Sequence, residues 1–147
     1  METYRLGYFK ILSKIKVIVD SNILLQSVRY GIDVKESVEE ALTTLCDIYI
    51  PKAVIHELEN KAKYGKPSER KAAKRALEAI SRMGAVIIEH ENFKNMKTDD
   101  IVLALALNEK CVLITNDREL RKKAKRIGIP VGFLNIEEKR IIVEYFP

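Results

Sequence analysis

The sequence predicts an α/β fold in which a mostly parallel sheet is covered by helices on both faces. Three observations support this prediction. Short, almost continuous apolar runs rich in Val and Ile recur along the chain. Segments with apolar residues at helical spacing alternate with these runs, and Gly, Pro or an acidic residue marks many of the junctions. Buried parallel strands have such continuous apolar runs, and the helical crossovers that connect them cover the sheet.

Length and composition are those of one globular domain. The chain has 147 residues and no linker divides it, so we expect a single domain over residues 1–147. Lys and Arg number 26 against 21 Asp and Glu, and the resulting net charge of +5 favours a nucleic-acid partner, with solvated helix faces as the alternative. No secretory signal or membrane-spanning run is recognisable, so we expect a cytoplasmic protein without a membrane partner.

The elements are predicted from apolar periodicity and from start and stop signals. The predicted strands are residues 16–20, 47–51, 85–89, 111–115 and 129–134, with 140–146 as an added edge strand. The predicted helices are residues 34–46, a segment from about 52, 68–83, 98–109 and 117–128. Ser68 and Asp117 are the expected N-caps, and Gly84 and Gly128 are the expected stops after two of the helices.

Four acidic residues are predicted to meet at one edge of the sheet. Asp20 ends the first strand and Asp117 follows the fourth, at the carboxyl edge where such sheets bind ligands. Glu57 lies near the start of the helix after the second strand, and Asp99 begins the helix that leads back into the fourth, so both belong to this edge. Taken singly, Asp99, Asp100 and Asp117 are also explained as helix caps or dipole complements. Together, their repulsion favours a bound cation.

The chemistry of these donors predicts Mg²⁺ or Mn²⁺ as the cofactor. Oxygen ligands select these hard ions, and the two His and two Cys residues form no metal-spaced cluster for zinc. An ion held by carboxylates can activate water for attack on a phosphodiester. The sequence has no Gly-rich loop of the Walker type, which disfavours hydrolysis of a nucleoside triphosphate. Cys46 and Cys111, each next to apolar residues, are predicted to be buried thiols.

Four motifs together resemble the PIN domain, a family of metal-dependent ribonucleases. The motifs are VIVDSNILL around Asp20, AVIHELE around Glu57, TDDIVLALAL around Asp99 and LITNDREL around Asp117. The resemblance covers about residues 15–135 and implies a three-layer α/β/α sandwich with a central, mostly parallel five-stranded sheet, and frequent homodimers. It implies that these four acids are catalytic and bind the metal ion, with Asp100 as an accessory ligand. Asn22 and Thr115 would be nearby polar positions that orient water or a carboxylate.

The resemblance leaves the biological role open between branches. The segments DSNILL, TDD and TNDRELRKKAKRIGIPV look most like the branch that processes ribosomal RNA. Toxins of toxin–antitoxin pairs are the alternative, and such a role would require an antitoxin partner. A third hypothesis, of a different class, is a catalytically silent RNA-binding factor of ribosome assembly.

A basic stripe on the helix after Asp117 is the candidate RNA-binding surface. Its residues recur at positions i, i+3, i+4 and i+7, and they are Arg118, Arg121, Lys122 and Lys125. The stripe begins beside the acidic edge, where it can bind the phosphates of an RNA strand, although a solvated helix face explains the pattern equally well. Leu120, Ala124 and Ile127 are predicted to form the opposite, apolar face.

Overall fold

A computed structural model of the protein describes residues 14–89 and 95–145. Within these ranges the chain forms one sheet and six helices. The strands are β1 (Ile15–Val19), β2 (Cys46–Pro51), β3 (Val86–Ile88), β4 (Val112–Ile114), β5 (Val131–Asn135) and β6 (Arg140–Tyr145). The helices are α1 (Ser21–Tyr30), α2 (Val34–Leu42), α3 (Lys52–Tyr64), α4 (Pro67–Arg82), α5 (Thr98–Asn108) and α6 (Arg118–Arg126).

The order of the described strands is β3-β2-β1-β4-β5-β6, and among them only the pairing of β5 with β6 is antiparallel. This confirms the predicted α/β fold with five parallel strands and an added edge strand. The chain proceeds from β1 towards one edge, through β2 to β3, and then crosses to β4 and β5 on the other side. Because crossovers between parallel strands are right-handed, this reversal places helices on both faces of the sheet. The reversal also creates a switch point between β1 and β4, where their carboxyl ends lie side by side.

The central strands form the core because almost every side chain in them is apolar and buried. Val17, Ile18 and Val19 of β1 are completely buried, as are Leu113 and Ile114 of β4. A strand covered on both faces has no solvated side, which explains why its sequence is continuously apolar instead of alternating. Cys46 and Cys111 are buried free thiols, as predicted.

The structure corrects three predictions about helices. Helix α1 was not predicted, because Asp20 ends the predicted strand, whereas it is also the N-cap of a helix that starts at the next residue. Ser68 does not cap α4, since the helix begins one residue earlier, with Pro67 in its first turn and Lys66 as an N-cap that makes no side-chain hydrogen bond. Ile127 does not belong to the buried face of α6, because it lies beyond the end of the helix and is 48 % exposed.

The ends of two helices agree with the glycine signals in the sequence. Gly84 and Gly128 have φ angles of +66° and +83°, which glycine adopts without the steric cost that a side chain would bring. Among the described residues, no helix is both long and apolar enough to cross a membrane.

Candidate active site

Asp20 occupies the junction between β1 and α1 at the switch point of the sheet. Its backbone N–H donates to the carbonyl of Ile114 at 3.1 Å, which extends the pairing of β1 with β4 by one residue. Its carboxylate then caps α1, because Oδ1 accepts a hydrogen bond from the N–H of Ser21 at 2.8 Å. The side chain is therefore fixed by the two central strands, and it lies at their carboxyl edge.

Thr115 joins Asp20 to the start of α6. This residue follows β4 directly and is completely buried. Its hydroxyl donates to Oδ2 of Asp20 at 2.9 Å and accepts a hydrogen bond from the N–H of Asp117 at 3.1 Å. The predicted polar position at Thr115 thus contacts one predicted acid through its side chain and another through the backbone.

Glu57 reaches the same place from α3 through a residue that the sequence analysis missed. Ser21 is 5 % exposed, and its hydroxyl donates to Oε2 of Glu57 at 2.8 Å. Ser21 therefore bonds to Asp20 through its backbone and to Glu57 through its side chain. A serine after an aspartate gives no signal of this in the sequence, because the contact depends on how α1 and α3 pack.

Asp99 and Asp100 lie in the first turn of α5, and neither is its N-cap. That position belongs to Lys97, which makes no side-chain capping bond. Partial burial raises the pKa of Asp99, and repulsion from Asp117, Glu57 and Asp100 raises it further, while Lys123 acts in the opposite direction. Acidic residues from α3, α5 and α6 therefore influence the charge of Asp99.

The pKa of Asp20 is also raised above its ordinary value. Burial is the main cause, and the negative charges of Asp99 and Glu57 add to it, whereas the hydrogen bonds from Thr115 and Ser21 favour the ionised form. A partly buried carboxylate with acidic neighbours is stabilised by any cation that binds between them.

Asp117 is the N-cap of α6, as predicted. Its Oδ1 accepts hydrogen bonds from the N–H groups of Glu119 at 2.9 Å and Leu120 at 3.1 Å. The side chain of this exposed residue thus has a capping role as well as an electrostatic effect on Asp99.

The acidic residues match a hard divalent cation in donor type and in charge. All of the donors are carboxylate oxygens, which suit Mg²⁺ and Mn²⁺. As the side chains stand, no three His, Cys, Asp or Glu residues in the described ranges are grouped so that they could hold a metal ion. Asp99 and Asp117 are exposed, so joint ligation with Asp20 would require their side chains to rotate towards it. The predicted supporting residue Asn22 is exposed on the first turn of α1.

The four residues of the predicted basic stripe have two different environments. Arg118 and Lys122 are exposed, and Lys122 forms an exposed pair with Glu119 at 3.6 Å. Arg121 and Lys125 instead share Glu144 of β6, with N–O distances of 3.3 Å and 2.8 Å. Two residues of the stripe are thus directed to solvent, and the other two form ion pairs with a residue of the sheet.

Asn116 is a second polar residue that the sequence analysis missed. Its side-chain amide donates to the carbonyl of Leu134 at 3.2 Å and accepts from the N–H of the same residue at 2.8 Å. The side-chain amide thereby makes the two hydrogen bonds that a backbone amide would make in the ladder, and it connects β5 to the end of β4.

A comparison with protein families identifies the chain. The family model described as a PIN like domain matches residues 17–136. The chain belongs to this family. The matched range includes all the acidic residues of the candidate site in this PIN-like domain.

Curated relatives of this PIN-like domain carry the name ribonuclease. Ribonuclease VapC9 of Archaeoglobus fulgidus is 35 % identical over 86 % of this chain and 87 % of its own length. Ribonuclease VapC4 of Methanocaldococcus jannaschii is 30 % identical over 79 % of this chain and 87 % of its own length.

A solved structure shows the same fold across almost the whole chain. The PIN domain endonuclease Utp24 matches with a TM-score of 0.72 and 25 % sequence identity, over 89 % of this chain and 92 % of that one. The similarity supports the strand order and the positions of the helices described above.

Proposed function

We propose that the protein is a metal-dependent endoribonuclease that hydrolyses RNA phosphodiesters at the carboxyl edge of its sheet. The observation that carries the proposal is the convergence on Asp20, where Thr115 binds one carboxylate oxygen and Ser21 connects the other side of the site to Glu57. The names of the relatives, ribonuclease and PIN domain endonuclease, support the same reaction class.

Asp20, Glu57, Asp99 and Asp117 would hold Mg²⁺ or Mn²⁺, with Asp100 as an accessory ligand. A divalent cation supplies an activated water and neutralises negative charge on the phosphate and the leaving oxygen. The carboxylate of Asp20 has a fixed position in the site, because its two oxygens accept hydrogen bonds from Ser21 and Thr115. Asp99 and Asp117, which are exposed, are available to adjust their positions around the cation and the phosphate.

Because two residues of the basic stripe pair with Glu144, RNA binding is assigned to the other two, Arg118 and Lys122. Both follow Asp117 on α6, so they extend from the acidic edge along the surface of the helix. Cations in this position neutralise phosphates beside the scissile bond and thereby counter the repulsion between RNA and the acidic residues.

The test of the reaction is cleavage of RNA in Mn²⁺ by Asp20→Asn and Asp99→Asn variants. Both variants should lose cleavage, while their thermal unfolding in EDTA should occur at the same or a higher temperature than that of the unaltered protein. Asp47→Asn is the matched control, because Asp47 lies at the amino end of β2, away from the acidic site. Its side chain pairs with Lys14 at 3.6 Å. Normal cleavage by the Asp20 or Asp99 variant would contradict the assigned site.

Two biological roles are consistent with this reaction. Processing of ribosomal RNA is the role that the sequence motifs favour, and the structural similarity to Utp24 accords with an endonuclease. A toxin of a toxin–antitoxin pair is at least as well supported, because the curated relatives are VapC ribonucleases. A neighbouring gene for a small antitoxin, whose product binds this protein and blocks cleavage, would decide for the toxin.

A catalytically silent RNA-binding factor is the second candidate function. The basic stripe of α6 would serve this function too, because its exposed cations can bind RNA phosphates whether or not the acidic residues hold a metal ion. Salt-dependent binding of RNA by the unaltered protein, without any cleavage in Mn²⁺, would establish this function over the nuclease.

A further inference from the structure

We infer that Arg121 is a positioning residue for the acidic site and not a contact for the RNA substrate. Its guanidinium group connects β6 to Thr115, and Thr115 holds the carboxylate of Asp20. The inference rests on the proposed function, because it concerns how the scaffold fixes the residue around which that site is built. It also divides the basic stripe of α6 into residues with different tasks.

The guanidinium group of Arg121 is surrounded by protein. Nη1 donates to the backbone carbonyl of Thr115 at 2.9 Å, and Nε lies 3.3 Å from a carboxylate oxygen of Glu144. The guanidinium carbon lies over the ring of Phe133, 5.1 Å from the ring centroid. Only 15 % of the side chain is exposed, against 63 % for Lys122 one position further along the helix. Two of its donors are thus engaged by protein acceptors, and the side chain is far less accessible to a phosphate than that of Lys122.

These contacts continue directly to the acidic site. Thr115 is held on three sides, because its N–H donates to Gly132 at 3.0 Å, its carbonyl accepts from Arg121, and its hydroxyl donates to Asp20. The carbonyl lies just beyond the end of β4, where the parallel ladder no longer supplies a donor. Arg121 supplies that donor, and Glu144 and Phe133 fix the arginine. The orientation of the Thr115 hydroxyl, and with it the position of Asp20, therefore depends on Arg121.

Geometry separates this role from that of a simple positive charge. A guanidinium group presents several donors on separate nitrogens, so it can bond to Thr115 and Glu144 at once and still lie over the ring of Phe133. A lysine ammonium group keeps the charge, but its three donors lie on a single nitrogen and it has no planar face. A positioning role therefore requires arginine, whereas attraction of phosphates is largely retained by lysine.

The experiment compares Arg121→Lys, Arg121→Met and Glu144→Gln in steady-state cleavage of a single-stranded RNA in Mn²⁺. Loss of residues that orient a metal ligand commonly costs about 10–100-fold in activity or metal affinity. We expect a fall of that size in kcat for both Arg121 variants, with KM changed less than about twofold, and a smaller fall for Glu144→Gln. Arg126→Lys is the matched control, because Arg126 is exposed at the far end of α6. Its kcat and KM should equal those of the unaltered protein.

Binding of Mn²⁺ without RNA, followed by calorimetry, gives a second measurement that does not depend on activity. The Arg121 variants should bind Mn²⁺ about 10–100-fold more weakly. Thermal unfolding in EDTA identifies any variant that fails to fold. If Arg121→Met fails to fold, Arg121→Lys and Glu144→Gln still test the inference.

Two results would overturn the inference while leaving the nuclease in place. One is an Arg121→Met variant with a raised KM and an unchanged kcat. The other is recovery of kcat by Arg121→Lys, since a charge alone would then suffice. If the unaltered protein neither cleaves RNA nor binds Mn²⁺, the proposed function fails and the inference fails with it.

Discussion

At the scale of single residues, Asp20 shows how the site is built from the bonds that end one element and begin the next. Its N–H continues the ladder to β4, its carbonyl accepts the N–H groups of Ile23 and Leu24 in the first turn of α1, and its carboxylate accepts from Ser21 and Thr115. These bonds place a carboxylate at the carboxyl edge with little freedom. Its pKa is raised in spite of these hydrogen bonds, because burial and the acidic neighbours disfavour the charge that a cation would compensate.

The raised pKa of Asp99 predicts that removing its charge stabilises the protein without a metal ion. Because the folded carboxyl binds a proton more readily than the unfolded one, the ionised group lowers stability. This cost is absent below the ordinary pKa of 3.8 and is fully present once the pH exceeds the folded pKa. Asp99→Asn should therefore raise the unfolding temperature in EDTA at pH 7 by about 0.4–4 °C, since a partly exposed charge contributes about 0.2–1 kcal/mol. Thermal scans from pH 7 down to pH about 3 measure the effect, which should shrink as the carboxyl becomes protonated.

Two comparisons make this prediction specific to the site. Asp47→Asn, which loses its pairing with Lys14 at the other end of the sheet, should not show the same gain. Added Mg²⁺ should stabilise the unaltered protein more than Asp99→Asn. A destabilised Asp99→Asn variant at pH 7 would mean that repulsion from Asp117, Glu57 and Asp100 is not what governs this carboxylate.

At the scale of elements, the polar residues after β4 determine how the sheet ends. Thr115 bonds to β1 and β5, and Asn116 bonds to Leu134 of β5 through both its donor and its acceptor. The ladder between β4 and β5 is short, with two paired positions, and the side-chain bonds of Asn116 extend the connection beyond it. The acidic site and the join between β4 and β5 are therefore supported by the same turn.

Asn116→Ala should consequently destabilise the protein. The change leaves the N–H and the carbonyl of Leu134 without their side-chain partner, and unsatisfied, partly buried backbone groups cost about 1–3 kcal/mol. Urea unfolding in EDTA measures the loss. Asn108→Ala, at the exposed end of α5, is the control and should stay within about 0.5 kcal/mol of the unaltered protein. Equal stability of the two variants would show that the pair with Leu134 contributes nothing to the join.

The elements that the sequence predicted are those whose signal is local. Apolar runs identified each of the six strands, and Asp117 and Gly128 marked the ends of α6 because capping and left-handed geometry depend on neighbours in the chain. Helix α1 was missed because Asp20 reads as the end of a strand, while it is also the cap of the helix. The links from Ser21 to Glu57 and from Arg121 to Glu144 join residues far apart in the chain, so no periodicity could reveal them.

At the scale of the whole molecule, charge is divided between an acidic edge and a basic remainder. The net charge is +5, although the candidate site gathers aspartates and a glutamate at the carboxyl ends of the central strands. A polyanion is thus attracted by the surface as a whole and repelled locally at the site. A cation at the acidic edge, together with Arg118 and Lys122 beside it, would cancel the local repulsion. A phosphate would then be attracted to the place where the acidic residues meet.

This arrangement predicts how the salt dependence of RNA binding responds to single changes. For a single strand, the logarithm of the affinity falls with the logarithm of salt concentration by about 0.7 for each phosphate that the protein neutralises. Arg118→Gln and Lys122→Gln should each reduce that slope by about 0.7 and weaken binding most at low salt. Titrations of a labelled RNA in EDTA, between about 50 and 200 mM salt, measure the slope without cleavage. Arg126→Gln, at the far end of α6, should leave the slope unchanged. An equal reduction for all three variants would indicate diffuse attraction to the whole basic surface, and no reduction for Arg118 and Lys122 would place the RNA on another face.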